Sequence, residues 1–136
     1  MQLNPYLTFG GQCEAAFQFY EKALGGTIVA MMTFGDMPET EQMPPEMSGK
    51  IAHVRLVVGD AVLMGSDAIS GRVEKMQGFS VTLTIDEPAE AERVFETLAS
   101  GGTVTMPIQE TFWAHRFGML VDRFGTPWMI NCEKPM

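Results

Sequence analysis

Apolar and polar positions alternate along eight short stretches of this chain and switch to helical spacing in two others. Asn4 to Phe9 reads as a strand, Gln12 to Leu24 as a helix and Thr27 to Phe34 as a second strand. Lys50 to Val58 and Ala61 to Ser66 follow as a hairpin turning at Gly59-Asp60. The order then recurs. Phe79 to Ile85 reads as a strand, Pro88 to Ala99 as a helix with proline in its first turn, and Thr103 to Met106 as a short strand. Arg116 to Asp122 and Pro127 to Cys132 form a last hairpin around Phe124-Gly125. Gly35 to Gly49, rich in Pro, Met and acid (Asp36, Glu39, Glu41, Glu46), reads as a loop. Gly71 to Gly78 reads as a joint, and Pro107 to His115 as a second loop.

The recurrence extends to residue identity. With an offset of 76, Leu7 to Thr27 lies on Leu83 to Thr103 without a gap. Leu7, Thr8, Glu14, Ala15, Phe19, Ala23, Gly25, Gly26 and Thr27 are each repeated in the second copy. Gly-Gly-Thr follows each helix, where a left-handed residue ends the coil. Ala15, Phe19 and Ala23, like Ala91, Phe95 and Ala99, fall at i, i+4 and i+8 and predict an inward stripe. The chain is read as a duplicated βαβββ unit in an α+β fold. One domain over 1–136 is expected, with modules of about 1–70 and about 78–136.

Composition narrows the function. At 136 residues and 15.0 kDa, the chain is long enough to bury a core. A net charge of −8 argues against nucleic acid, since no basic cluster could neutralise phosphates. No apolar run approaches the length of a spanning helix, and Met1 to Pro5 shows no signal-peptide pattern. Cys13 and Cys132 are too few for a disulfide framework and fit no zinc spacing. A cytoplasmic protein is expected, without membrane association. Cys13 is expected to be a surface or half-buried thiol, and nothing near it predicts a nucleophile.

An ordered series of motifs carries a family resemblance. It runs through Tyr6-Leu7-Thr8-Phe9-Gly10-Gly11, Glu14-Ala15-Ala16, Phe19-Tyr20 and Gly25-Gly26. It continues with Gly49-Lys50-Ile51-Ala52-His53, Gly59-Asp60-Ala61-Val62-Leu63-Met64, Thr111-Phe112-Trp113 and Phe117-Gly118. Asp122-Arg123-Phe124-Gly125 and Trp128-Met129-Ile130-Asn131 complete it. Over nearly its whole length the chain resembles the vicinal oxygen chelate superfamily of glyoxalases, fosfomycin-resistance proteins and extradiol dioxygenases, and within it the PhnB-like branch. The resemblance implies a glyoxalase-like fold: one eight-stranded cupped sheet with helices on its outer face, a small-molecule site inside and a homodimer. Members of the branch have been labelled methyltransferase-like, but no glycine-rich nucleotide loop is visible here.

Catalytic members of the superfamily hold a divalent metal through His, Glu or Gln, one from each of four strands. The resemblance places those positions at about Pro5 (neighbouring Tyr6), Met64, Val81 and Met129. One residue of slippage adds Leu63, Ser80, Thr82 and Ile130. None is a carboxylate or imidazole, so no metal and no cofactor is expected. His53 is read as a core or rim histidine, or as a general base facing the cup. Arg55 shares its face by strand alternation and is the arginine best placed to recognise a carboxylate or phosphate. Arg116 and Arg123 read as partners of surface acids, and His115 as a solvated loop residue or a site residue. Phe112 and Trp113 read as a hydrophobic plug or dimer contact, or as a lid stacking on an aromatic ligand. Tyr6 and Trp128 are expected to line or floor the cup, with Asn131 offering a hydrogen bond. Met31, Met32, Met37, Met43 and Met47, among twelve methionines, read as packing or as a pliable apolar surface.

Three functions follow. The first is metal-free binding of an apolar or aromatic molecule, with His53 or Arg55 fixing its polar end. The second is a lyase, isomerase or oxygenase with a metal on noncanonical ligands such as His53, His115 and Glu110. The third is a non-catalytic dimeric interaction module.

Overall fold

The computed structural model describes residues 1–37, 45–69 and 73–134. Met43, Glu39 and Glu41 of the first expected loop, and Gly71 of the expected joint, lie outside them. The chain divides into two compact units, Met1–Glu74 and Lys75–Met136. The first contains β1 (Tyr6–Phe9), α1 (Cys13–Leu24), β2 (Thr27–Thr33), β3 (Ile51–Val58) and β4 (Ala61–Asp67). The second contains β5 (Val81–Thr84), α2 (Pro88–Ala99), β6 (Thr103–Gln109), β7 (Ala114–Val121) and β8 (Pro127–Glu133). Each unit is βαβββ.

The strands form two sheets rather than the single eight-stranded sheet expected. Their orders are β1-β4-β3-β2 and β5-β8-β7-β6. Each ladder closes locally. The helix carries the chain across to the far edge, two antiparallel pairings bring it back, and β4 or β8 then pairs parallel with the first strand of its own unit.

The helices bury one face against their own sheets, and of the rows that residue identity predicts, Ala23, Ala91 and Phe95 are buried while Ala15, Phe19 and Ala99 are not. α1 buries Cys13, Ala16, Phe17, Tyr20 and Ala23; Ala15 is exposed and Phe19 half-buried. α2 buries Ala91, Val94, Phe95 and Leu98. Side-chain character explains the mismatch. At the offset of 76, Phe17 and Tyr20 face Arg93 and Glu96, whereas Val94 and Leu98 face Gln18 and Lys22. Each helix turns toward the sheet whichever face is apolar, at about 2–3 kcal/mol per large side chain buried. Glycines in the sheets make room for this. A Cβ on Gly65 would lie 2.7 Å from Phe17 Cε1, and one on Gly118 would lie 2.6 Å from Phe95 Cε2.

Two buried carboxylates fasten the loops. Asp67, at the end of β4, accepts from the backbone N–H groups of Gly11, Cys13 and Ile51 at 2.9, 3.0 and 2.9 Å. It thereby caps the start of α1, where Gln12 makes no side-chain cap. Asp122 accepts from the backbone of Phe124 and Thr126 and from Trp128 Nε1, at 2.8, 3.0 and 2.8 Å, and so shapes the β7–β8 turn. Cys13 is fully buried, contrary to the surface or half-buried position expected. Burial, then the charges of Asp67 and Glu14, push its thiol well above the ordinary range. That excludes a ready thiolate.

The second loop is shorter than expected. β6 continues through Pro107 to Gln109, because an edge strand tolerates a residue without an N–H. Residues 110–113 alone form the loop, and His115 and Arg116 belong to β7. In the first loop, 3-10 turns at Phe34–Asp36 and Pro45–Met47 bury Phe34 and Met47. Among the described residues, no helix is long and apolar enough to cross a membrane, which leaves β-barrels unaddressed.

Candidate functional site

Strand alternation gives each sheet a helix-covered face and an open one. In the first unit, Leu7, Phe9, Val54, Leu56, Leu63 and Gly65 turn toward α1. Tyr6, Arg55 and Met64 take the open face. The ladder sets them in one row, with Tyr6 beside Met64, Met64 beside Arg55 and Arg55 beside Ala30. His53 lies two residues from Arg55 on the same face, next to Met32. A bulge beyond it lets Ile51 turn inward while His53 stays outward.

These side chains touch. The Tyr6 and His53 rings stack at a centroid distance of 5.8 Å, and Tyr6 Oη lies 3.3 Å from His53 Nδ1. The phenol can donate to a neutral imidazole there, which would hold the histidine ring in place. An Arg55 guanidinium nitrogen lies 4.0 Å from Met64 Sδ. Tyr6 is 47% exposed and His53 and Arg55 are half-buried, so the group is open to a ligand.

In the second unit, Phe117, Met119, Met129 and Asn131 lie on the open face. Met106, Met119, Met129 and Thr82 form one cross-strand row, and Phe117 is paired with Asn131. Trp113 packs edge-on to Phe117 at 5.5 Å and to Phe112 at 4.9 Å, while Phe112 is 89% exposed. Asn131 Nδ2 donates to Glu133 at 3.2 Å. Its Oδ1 is buried and accepts nothing among the described residues. Phe117 is the residue that sequence reasoning missed. Its alternation with Met119 on β7 was the available signal.

Several candidates sit elsewhere. Trp128 is 0% exposed on the helix side, bonded to Asp122, and lines no open face. An indole N–H in a core must find an acceptor, and Asp122 supplies it. His115, by contrast, stands two residues before Phe117 on β7; it is half-buried, and its carbonyl accepts from Arg116 at 2.6 Å. Arg116 turns to Glu92 at 2.7 Å, and that carboxylate raises the guanidinium's already high pKa. Arg123 donates to the Ser100 carbonyl at 3.0 Å, beyond the end of α2. Glu110 pairs with Lys134 at 3.1 Å, which lowers its carboxyl below the usual range.

Within the positions that the resemblance allows, the register pairs Tyr6 with Met64 and Thr82 with Met129. The open-face pair is a phenol and a thioether in the first unit and a hydroxyl and a thioether in the second, and none of these donors suits a hard divalent ion. Among the described residues, no three His, Cys, Asp or Glu side chains are grouped to hold a metal.

Comparison with known proteins agrees with this architecture. Protein PA1353 from Pseudomonas aeruginosa has 50% identity, a TM-score of 0.90 and coverage of 99% of both chains. Protein YjdN from Escherichia coli strain K12 is 39% identical over 142 residues, covering 98% of this chain and 97% of that protein. A PhnB protein from Bacillus cereus is 22% identical with a TM-score of 0.78, covering 97% of this chain and 99% of that one. The fosfomycin resistance protein FosX from Mesorhizobium loti, 12% identical with a TM-score of 0.65, covers 98% of this chain and 92% of that one and shares the glyoxalase-type fold. Residues 1–131 match the family described as 3-demethylubiquinone-9 3-methyltransferase, and the chain belongs to that PhnB-like family.

Proposed function

We propose that this protein binds a small apolar or aromatic molecule on its open sheet faces without a metal, and that its two modules act as one domain in a homodimer. The observation that carries the reading is the pairing of Tyr6 with Met64 in the first unit and of Thr82 with Met129 in the second, which puts aromatic, thioether and hydroxyl groups where the family resemblance implies hard donors in metal-dependent members. The Met106–Met119–Met129 row supports it, since thioethers adapt to ligands of varied shape. Trp113 and Phe112 supply exposed aromatic surface beside Phe117, and Asn131 a buried acceptor. His53 and Arg55 are the groups that fix the polar end of the ligand. The family description names a methyl transfer, but this reading assigns binding because no glycine-rich nucleotide loop is present in the sequence.

A thermal-shift screen against hydrophobic metabolites tests it. Ligands should raise the melting temperature of the wild type by a few degrees, and that of Trp113→Ala by less. An empty screen over a broad library would count against binding. Elemental analysis of protein purified without chelators is the second check. Stoichiometric nickel, zinc, manganese or iron that disappears in His53→Ala would overturn the metal-free reading.

A further inference from the structure

We infer that the molecule held on the first sheet carries an anionic head group, a carboxylate or a phosphoryl group, that pairs with Arg55. The inference rests on the small-molecule reading above and specifies the charge of the ligand. Arg55 is half-buried, and its recorded polar neighbour is the weak acceptor Met64 Sδ at 4.0 Å. Ion pairs among the described residues include Arg93–Glu90, Arg116–Glu92 and Lys134–Glu110, whereas Arg55 has no carboxylate partner among the described residues.

The chain does not lack acids. Seventeen Asp and Glu residues stand against nine Lys and Arg, so a neutralising neighbour was readily available. Its neighbours along the row are instead Ala30 and Met64, with Tyr6 beyond. A cation held over apolar side chains without a counter-ion is costly unless an anion arrives to share the site. Guanidinium presents parallel N–H donors that match a carboxylate or phosphoryl oxygen pair. The stacked Tyr6–His53 pair adds a flat surface beside it for an apolar or aromatic body. An anionic head with such a body fits all of these features at once.

Titration of isotope-labelled protein with benzoate, phenyl phosphate and benzyl alcohol, followed by amide chemical shifts, tests the inference. At least one anionic probe should bind about tenfold tighter than benzyl alcohol, with shifts centred on Tyr6, His53 and Arg55. The ranking of benzoate against phenyl phosphate identifies the head group. Arg55→Met should abolish the preference for the anions over benzyl alcohol, and its amide spectrum reports whether the fold is kept. Arg55→Lys should restore part of the preference. Benzyl alcohol binding as tightly as both anions, or a preference that survives Arg55→Met, would overturn the inference and leave the small-molecule reading standing. Absence of shifts on this face with all three probes would sink both.

Discussion

Asp67 and Asp122 hold the two units' loops through acceptor oxygens rather than through charge pairing. Each accepts three N–H groups inside protein, so truncation strands those donors where water cannot replace the carboxylate. Asp122→Ala is expected to destabilise the protein by about 3 kcal/mol, read as a lower urea midpoint. A loss below about 0.5 kcal/mol would show that the turn is held by other contacts. Cys13 makes a second expectation at this scale. Its buried, pKa-raised thiol should fail to react with a disulfide reagent until urea is added. Rapid reaction of Cys13 in the native protein would refute its burial. The role of Asp67 was not legible in the sequence, because it receives donors lying 16 to 56 residues away. His53 and Arg55 were legible, since alternation alone assigns them to one face. Trp128 was misread because nothing in a strand's pattern says which face meets the helix.

At the scale of elements, the repeat set the order of strands and helices but not how each helix is turned. Gly-Gly-Thr closes both helices, with Gly25 and Gly101 at φ 68° and 77°. The buried rows nevertheless follow apolar residues, not identical ones, so Ala15 is exposed where Ala91 is buried. Strand limits were legible to within two residues except for β6, which runs on for three, from Pro107 to Gln109. Close packing beneath Phe95 gives a test. Gly118→Ala should destabilise by about 1–3 kcal/mol, because an added Cβ would also lie 2.9 Å from Ile108 Cα and 3.0 Å from its Cβ. The Glu110–Lys134 pair gives a pH test of the 110–113 loop. Glu110 has a depressed pKa in the fold, so the pair's contribution is present above the ordinary glutamate value of 4.5 and fades as pH falls through the lower folded value. The Trp113 indole resonance should move over that range in wild type and hold still in Glu110→Gln.

For the whole molecule, two sheet edges expose apolar side chains among the described residues. β2 and β6 each end a sheet, are seven residues long, and expose Val29 and Met32 or Val104 and Met106. Monomeric proteins usually blunt such edges with charge, proline or a short strand. β6 carries Pro107, but β2 has neither proline nor a charged residue. An overall charge of −8 keeps molecules apart at long range, yet these apolar edges contain no acid to oppose a close approach. A second copy covering β2 would remove both the apolar exposure and the open backbone edge, and two-fold symmetry would close the assembly at two chains. Sedimentation should therefore show a dimer of the 15.0 kDa chain, and Val29→Lys should shift the equilibrium toward monomer. Because Val29 is 55% exposed, the substitution should leave the melting temperature of the isolated chain nearly unchanged. A wild type that sediments as a monomer at high concentration would refute the assembly. A dimer indifferent to Val29→Lys would move its interface off β2.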